Sequence, residues 1–522
     1  VDNTGSIVTY GARAHGILAQ SVGGGGGNAQ LAIGGGTNGA VQAASGALNT
    51  LLGASNSSSG GLGGTVVVNH TGNITVMGEG AQAIKAESIN GGGGSVTFEI
   101  VDVLASVPGV SKVINLAESA FSFARLGGTG LSDMSSGGVL VETSGTLGAG
   151  GNNGAGAVGQ SIGGGGGTSD LRLQLASEPT SQAGFGAAAA AVETPGIYAA
   201  LGGIDGVNNS GAALTTSHTG GIPTNGANSM GLLMQSIGGG GGRSNIHVDA
   251  IAGSRLGEIG VALGSTNGTT EAGGMVTRLQ AGQVSTTGTN ATGAILQSIG
   301  GGGGSSSVTL IGAGAAGSTM SAALGSDGGT GLDSGAVSAR FSGGIFTQGA
   351  GSTGLLAQSI GGGGGEVRAS GVSSLEATLG GLNGATGDGG DVLFINDGAI
   401  STAGDGSHGV LLQSIGGGGG VVLTDSQTSV VLNDGGVGDG GAISFAQAGD
   451  IITGGQAAFG IIAQSLGGGG GLLASTSELQ TDANGILSSS ASQQVGVGGQ
   501  PFDADAYFGV TAQQGPGGRS YG

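Results

Sequence analysis

The sequence predicts an all-β fold, a parallel β-helix (β-solenoid) of about eight to nine degenerate repeats. Three observations predict it. One motif recurs eight times, short strand-like segments bounded by glycine and Asp/Asn turns surround each copy, and the composition excludes most other architectures. Of 522 residues, 131 are glycine, while aromatic residues make up 3% and charged residues 8%. Collagen needs proline, and only six are present. A disulfide-stapled scaffold needs cysteine, which is absent. A disordered chain needs high charge and low hydrophobicity, yet 37% of this one is apolar. Two lysines, Lys85 and Lys112, are too few for a helical bundle.

The motif is Gln-Ser-Ile followed by five glycines. Copies lie at 20–27, 87–94, 160–167, 235–242, 297–304, 358–365, 413–420 and 464–471, with a decayed ninth at 513–518. The second copy begins Glu87-Ser88-Ile89-Asn90. A long-period repeat of this kind signals stacked units that bury their inner faces only against neighbours. The residues upstream keep a fixed register. Fifteen positions before the Gln stands glycine, from Gly5 to Gly449, and thirteen before it an aliphatic residue, as in Ile345, Ile400 and Ile451.

Within one unit, 391–396 reads as a strand closed by the turn Asp397-Gly398. Gly398-Ala399-Ile400-Ser401-Thr402 alternates around one inward aliphatic and breaks at Gly404-Asp405-Gly406. Val410 to Ile415 is strand-like again. The stretches 110–125 and 187–201 stand out as short helices or lateral excursions. A coil of about 18–25 residues would place two to three coils in each unit, giving a rod of about 100–130 Å at about 4.8 Å per strand. The whole chain, 1–522, reads as a single solenoid. Val1 is not an initiator Met and no signal peptide follows, so a processed product or fragment is expected.

The pentaglycines admit two readings, slack loops or backbone ordered by close approach. Their constant length favours the second. The Gln and Ser ahead of them recur in every unit, at Gln20, Ser21, Gln160, Ser161, Gln235, Ser236, Gln297, Ser298, Gln358, Ser359, Gln413, Ser414, Gln464 and Ser465. Superimposed units would let these side chains form hydrogen-bond ladders or bond the solenoid corner. A row of ligand-binding Gln is the alternative.

No catalytic, cofactor-binding or metal-binding constellation is expected, and no cofactor. His15 and His408 share a register that other units fill with residues such as Gln82 and Thr292, which reads as a tolerant turn position. No Lys-Ser/Thr follows a glycine run, so a phosphate loop is excluded. Asp388 and Asp391 match only part of the calcium-binding nonapeptide, as do Asp327 with Asp333 and Asp434 with Asp439. They read as acidic turn residues, with calcium as the alternative. A net charge of −20 with singly scattered arginines disfavours nucleic acid and anionic membrane. It also leaves too few basic residues for a polysaccharide lyase. No apolar window is long enough for a transmembrane helix.

Gly354 to Gly365, preceded by Gly343-Gly344-Ile345-Phe346-Thr347, resembles the repeat region of glycine-rich autotransporter (type V secretion) passengers of Gram-negative bacteria. The resemblance covers nearly the whole chain. It implies a right-handed parallel β-helix exported across the outer membrane and displayed at the cell surface. Membrane attachment would come only through a C-terminal barrel, which this sequence lacks. The expected role is a non-enzymatic structural or adhesive rod for attachment, biofilm or filament formation. Its partners would be further copies of itself, lateral or end to end, or a host, surface or polysaccharide ligand. A polysaccharide-acting enzyme on the same fold and a calcium-dependent β-roll are the alternatives.

Overall fold

The computed structural model describes residues 1–33, 50–52, 62–100, 121–127, 133, 135–174, 192–193, 197–202, 207–249, 254–255, 258–264, 270–311, 318–326, 328–381, 383–432 and 436–475. Beyond these it describes the short strands 480–481, 487–488, 494–497, 500–503 and 510–511. Among the described residues there is no helix, and five long sheets account for nearly all strands. One coil shows the plan. Val392–Asn396, Ile400–Thr402, Val410–Ile415, Gly419–Thr424 and Gln427–Leu432 contribute one strand each to the first through fifth sheets.

Each strand pairs in parallel with its counterpart one repeat later. Val392 lies opposite Ile443, Ile400 opposite Ile451, Gln413 opposite Gln464 and Gly419 opposite Gly470. Ile345 pairs with Ile400 in turn, and both are fully buried, so the aliphatic column thirteen residues before the Gln is one interior line. The protein is a parallel β-helix.

One repeat is one coil, which corrects the expected two to three coils per unit. The first three sheets hold eight strands each. Seven steps of about 4.8 Å make the stack about 34 Å tall, not 100–130 Å. The physical reason is the pentaglycine, which reverses the chain inside the unit. The fourth and fifth strands therefore lie beside the first three at the same level instead of above them.

The cross-section has two lobes. The first three sheets enclose one core, with Ile74, Val276, Phe341, Ile345, Leu355 and Phe394 among its members. The fourth and fifth enclose another, with Phe98, Leu171, Val308, Val367 and Leu379. The third and fourth sheets pack on each other through Leu233, Ile295, Leu356 and Leu411 against Val421 and Leu472. The third sheet is thus covered on both faces, and every residue of Leu355–Ile360 is buried.

Phe121–Leu126 and Ile197–Leu201, from the stretches expected as helices or excursions, are strands of the fifth sheet. Val192–Glu193 pairs with Ser254–Arg255 in a separate two-stranded ladder, and the rest of both stretches lies outside the described residues. Val510–Thr511, just before the decayed ninth motif, pairs antiparallel with Leu472–Leu473; 513–518 lies outside the described residues.

The turn between the second and third sheets stacks one left-handed residue per coil. The column runs Arg13, Gly80, Asn153, Asn228, Asn290, Gly351, Gly406 and Ala457, with φ between 52° and 65°. Glycine and asparagine tolerate this region, whereas alanine is strained there by about 1–2 kcal/mol. Ala457→Gly is therefore expected to stabilise the last coil by about 1 kcal/mol. Amide hydrogen exchange across residues 443–475 should slow about fivefold relative to wild type.

Candidate functional site

The pentaglycine forms the waist between the lobes. In Gly361 to Gly365, φ is +82° at Gly362 and +137° at Gly364. A Cβ on Gly363 would lie 2.6 Å from the Cα of Gly325, where the fifth sheet ends, and one on Gly361 would strike the Asp388 carbonyl of the return loop. The run is also hydrogen-bonded to its neighbours: Gly364 N–H donates to Gly302 O at 3.1 Å, and Gly419 N–H to Gly363 O at 3.1 Å. It is ordered backbone in close approach.

Just ahead of the waist, the third sheet turns its Gln side chains toward the fourth. Gln160 Nε2 donates to Gln235 Oε1 at 2.7 Å, Gln235 to Gln297 at 2.6 Å and Gln297 to Gln358 at 2.6 Å. Gln358 donates to Gln413 at 2.8 Å and Gln413 to Gln464 at 2.7 Å. All but Gln464 are fully buried. Six amides thus run in one direction, and Gln464 Nε2 at the far end has no partner among the described residues. In the second coil Glu87 replaces Gln. It accepts from Gln20 Nε2 and from Thr168 Oγ1 (3.0 Å), and Lys85 Nζ lies 3.1 Å from it. The bond between Thr168 Oγ1 and Gln160 Oε1 (3.2 Å) joins this pair to the ladder.

The serines do something different. Ser359 Oγ donates to Gly335 O of its own coil at 2.7 Å and accepts from Gly390 N–H of the next at 2.8 Å. Ser161 acts likewise on Gly137 O and Ala212 N, and Ser236 on Ala212 O and Gly274 N. Ser414 bonds Gly390 O and Gly441 N. Ser298 accepts from Gly335 N, Ser465 donates to Gly441 O, and Ser21 accepts from Gly64 N. The row pins the loop entering the first sheet against the waist.

Asp388 and Asp391 are held in the same loop. Asp388 Oδ1 accepts from Asp439 N–H at 2.8 Å, Asp391 Oδ1 from Ala442 N–H at 2.8 Å, and Asp333 Oδ1 from Asp388 N–H at 2.9 Å. These carboxylates cap backbone of the next coil. Asp327 and Asp434 lie outside the described residues. Among the described residues, no three His, Asp or Glu side chains gather in a way that could hold a metal ion.

What the sequence hid is a charged column between the third and fourth sheets. Five of the eleven Lys and Arg residues meet there: Arg13, Lys85, Arg172, Arg243 and Arg368. They are scattered singly along the chain and no two oppose each other in register, but the fold places them along one layer. Arg368 bonds Glu366 through Nε at 2.6 Å and reaches Thr292 Oγ1 at 2.6 Å. At the rim, Arg13 pairs with Glu99 at 2.8 Å, and Arg172 bonds Glu79 and lies 3.6 Å from both Glu99 and Asp249. Burial raises the Glu79 carboxyl above the ordinary range, against the pull of Arg172. A small polar cleft opens beside this rim, lined by Arg13, His15, Lys85, Thr97 and Asp170 among others. The visible signal was the fixed offset from each Gln: Arg243 and Glu366 stand eight residues after it, Asp170 and Arg368 ten, Glu99 and Arg172 twelve.

His408 lies in the turn between the second and third sheets, but the position is enclosed. It is fully buried, its Nδ1 accepts from Phe459 N–H at 3.2 Å, and its ring lies 5.5 Å from that of Phe459. Burial, with Arg368 second, lowers its pKa to about 4. His15 is lowered to about 4 by burial and then by Lys85.

Comparison of the chain with family models, with curated proteins and with solved structures finds no match. The geometry alone defines a parallel β-helix whose ladder amides are bonded to one another, while the Arg243 guanidinium and several serine hydroxyls of the fourth sheet have no partner among the described residues. Beside the cleft, Glu79, Glu99 and Asp249 lie against Arg13 and Arg172, and Asp170, which lines it, accepts from Asn245 at 2.7 Å.

Two predictions follow from this chemistry. Lys85→Leu removes the cation beside Glu87 and is expected to destabilise by about 3–5 kcal/mol in urea denaturation. Lys85→Leu with Glu87→Gln copies Leu233 and Gln235 and completes the ladder, so the double variant should return to within about 1 kcal/mol of wild type. The second concerns acid. The unfolded chain protonates His408 near pH 6.5 but the folded chain only near 4, so its contribution is full above 6.5 and falls as pH drops toward 4. His408→Gln, which keeps an acceptor as Gln82 does, should reduce the loss of stability between pH 7 and pH 5 by up to about 2 kcal/mol.

Proposed function

We propose that the protein is a non-catalytic structural or adhesive column, displayed outside the cell after export by the autotransporter route that its repeats resemble. The observation that carries this reading is the continuous Gln ladder, whose amides bond one another from coil to coil. The serine clamps and the ordered glycine waist support it, because they too serve stacking. On this reading the function resides in rigidity and in the outer faces. The partners are further copies of the chain or a host or polysaccharide surface, without nucleic acid. A polysaccharide-acting enzyme is the second reading, favoured by one feature: Glu79, Glu99 and Asp249 gather around Arg172 beside the polar cleft.

The test is to coat beads with the purified chain. Retention on immobilised polysaccharides and on epithelial matrix proteins is measured, and the same material is examined by electron microscopy. Saturable retention or ordered assemblies are expected, unchanged in Glu79→Gln and Glu99→Gln variants. Depolymerisation of a polysaccharide by wild type that either variant abolishes would overturn the proposal. Unfolding on addition of a calcium chelator would replace it with the calcium-dependent reading.

A further inference from the structure

We propose that the lumen of the first lobe holds a small monovalent anion, of the halide class, against the Arg278 guanidinium. This goes beyond the adhesive reading and does not depend on it.

Arg278 stands where its column is otherwise small or apolar. The inner face of the first sheet reads Val68, Val141, Thr216, Arg278, Ala339 and Phe394 from coil to coil. The side chain is 1% exposed. One terminal nitrogen donates to Gln280 Oε1, while Nε has no acceptor among the described residues. Thr216, directly beneath, is fully buried, and its hydroxyl also lacks a partner among the described residues. His218, two residues further along that strand, is no counterion. Burial and the charge of Arg278 lower its pKa to about 4, so the ring is neutral at pH 7.

The other buried cations show what is missing. Lys85 has Glu87 at 3.1 Å and Arg368 has Glu366, while Arg243, whose guanidinium nitrogens also lack partners among the described residues, at least sits in the field of Asp170 and Glu366. Arg278 has no carboxylate partner among the described residues, and only burial acts on its ionisation. An uncompensated charge in a low-dielectric interior is strongly unfavourable, by several kcal/mol. A small anion offsets it by accepting from Arg278 Nε and the Thr216 hydroxyl. Leu214, Val276 and Phe341, all fully buried in the same core, restrict the occupant to a monatomic or similarly small ion.

The experiment compares urea unfolding of the wild-type chain and Arg278→Met in sodium chloride, sodium bromide and sodium gluconate at equal ionic strength. Bromide anomalous diffraction from wild-type crystals accompanies it. In wild type, chloride and bromide should lower the unfolded fraction about tenfold relative to gluconate at fixed urea. Arg278→Met should respond equally to all three salts, and a bromide peak should sit beside Arg278 Nε. Equal salt responses of wild type and variant, or a wild-type crystal without bromide scattering at Arg278, would overturn the proposal. Should Arg278→Met not fold, the diffraction measurement on wild type decides alone.

Discussion

Everything in this molecule depends on three passes of backbone crossing at one point without side chains between them. The pentaglycine is one pass, the glycine that ends the fifth sheet is the second, and the loop returning to the first sheet is the third. Gly362 N–H reaches across to Leu332 O at 2.9 Å, and Gly417 N–H to Gly387 O at 2.9 Å. These bonds lie between loops and recur in the five coils from Gly239 to Gly468, where they tie the two lobes together. A Cβ at Gly361 or Gly363 would push the passes apart. Ordering glycine costs about 0.5–1 kcal/mol per residue relative to alanine, and bonds and burial on both sides of the waist offset that cost.

Given that crossing, the layer between the third and fourth sheets has no access to water along most of its length. Polar groups there must find partners in the coil above or below. Carboxamides solve this by repetition, since each carries one donor and one acceptor along the stacking direction. A carboxylate does not, because it only accepts. That is why Glu87 comes with Lys85 two residues before it and a hydroxyl from Thr168. The same layer turns apolar toward the C-terminal coils, where Leu411, Val421 and Leu472 meet.

Much of the fold was legible because stacking copies its demands into every unit. Ile345, Ile400 and Ile451 had to match, and so did the glycine fifteen residues before each Gln. The strands 392–396, 400–402 and 410–415 followed from alternation between turn residues. The number of strands per turn was not legible. A run of five glycines has no side-chain pattern, so its sequence does not distinguish a gentle corner from a full reversal. The charged column was hidden for a different reason. Arg172 and Glu79 are 93 residues apart, and only the reversal between the third and fourth sheets, together with the stacking, brings them together. Counting forward from each Gln aligns Arg172 with Glu99 but misses Glu79, which lies before its motif. The enclosure of His408 was not legible, because its neighbours in register are chemically mixed.

The one-way run of carboxamides has a further consequence. Each group's dipole adds to the next, as in a row of compass needles, so the column acquires an electrical axis independent of its net charge. Turning one needle would set two donors face to face on one side and two acceptors on the other, which makes the orientation collective. A positive pole therefore sits at the buried Nε2 of Gln464, and whatever packs over that coil meets a field that distinguishes head from tail.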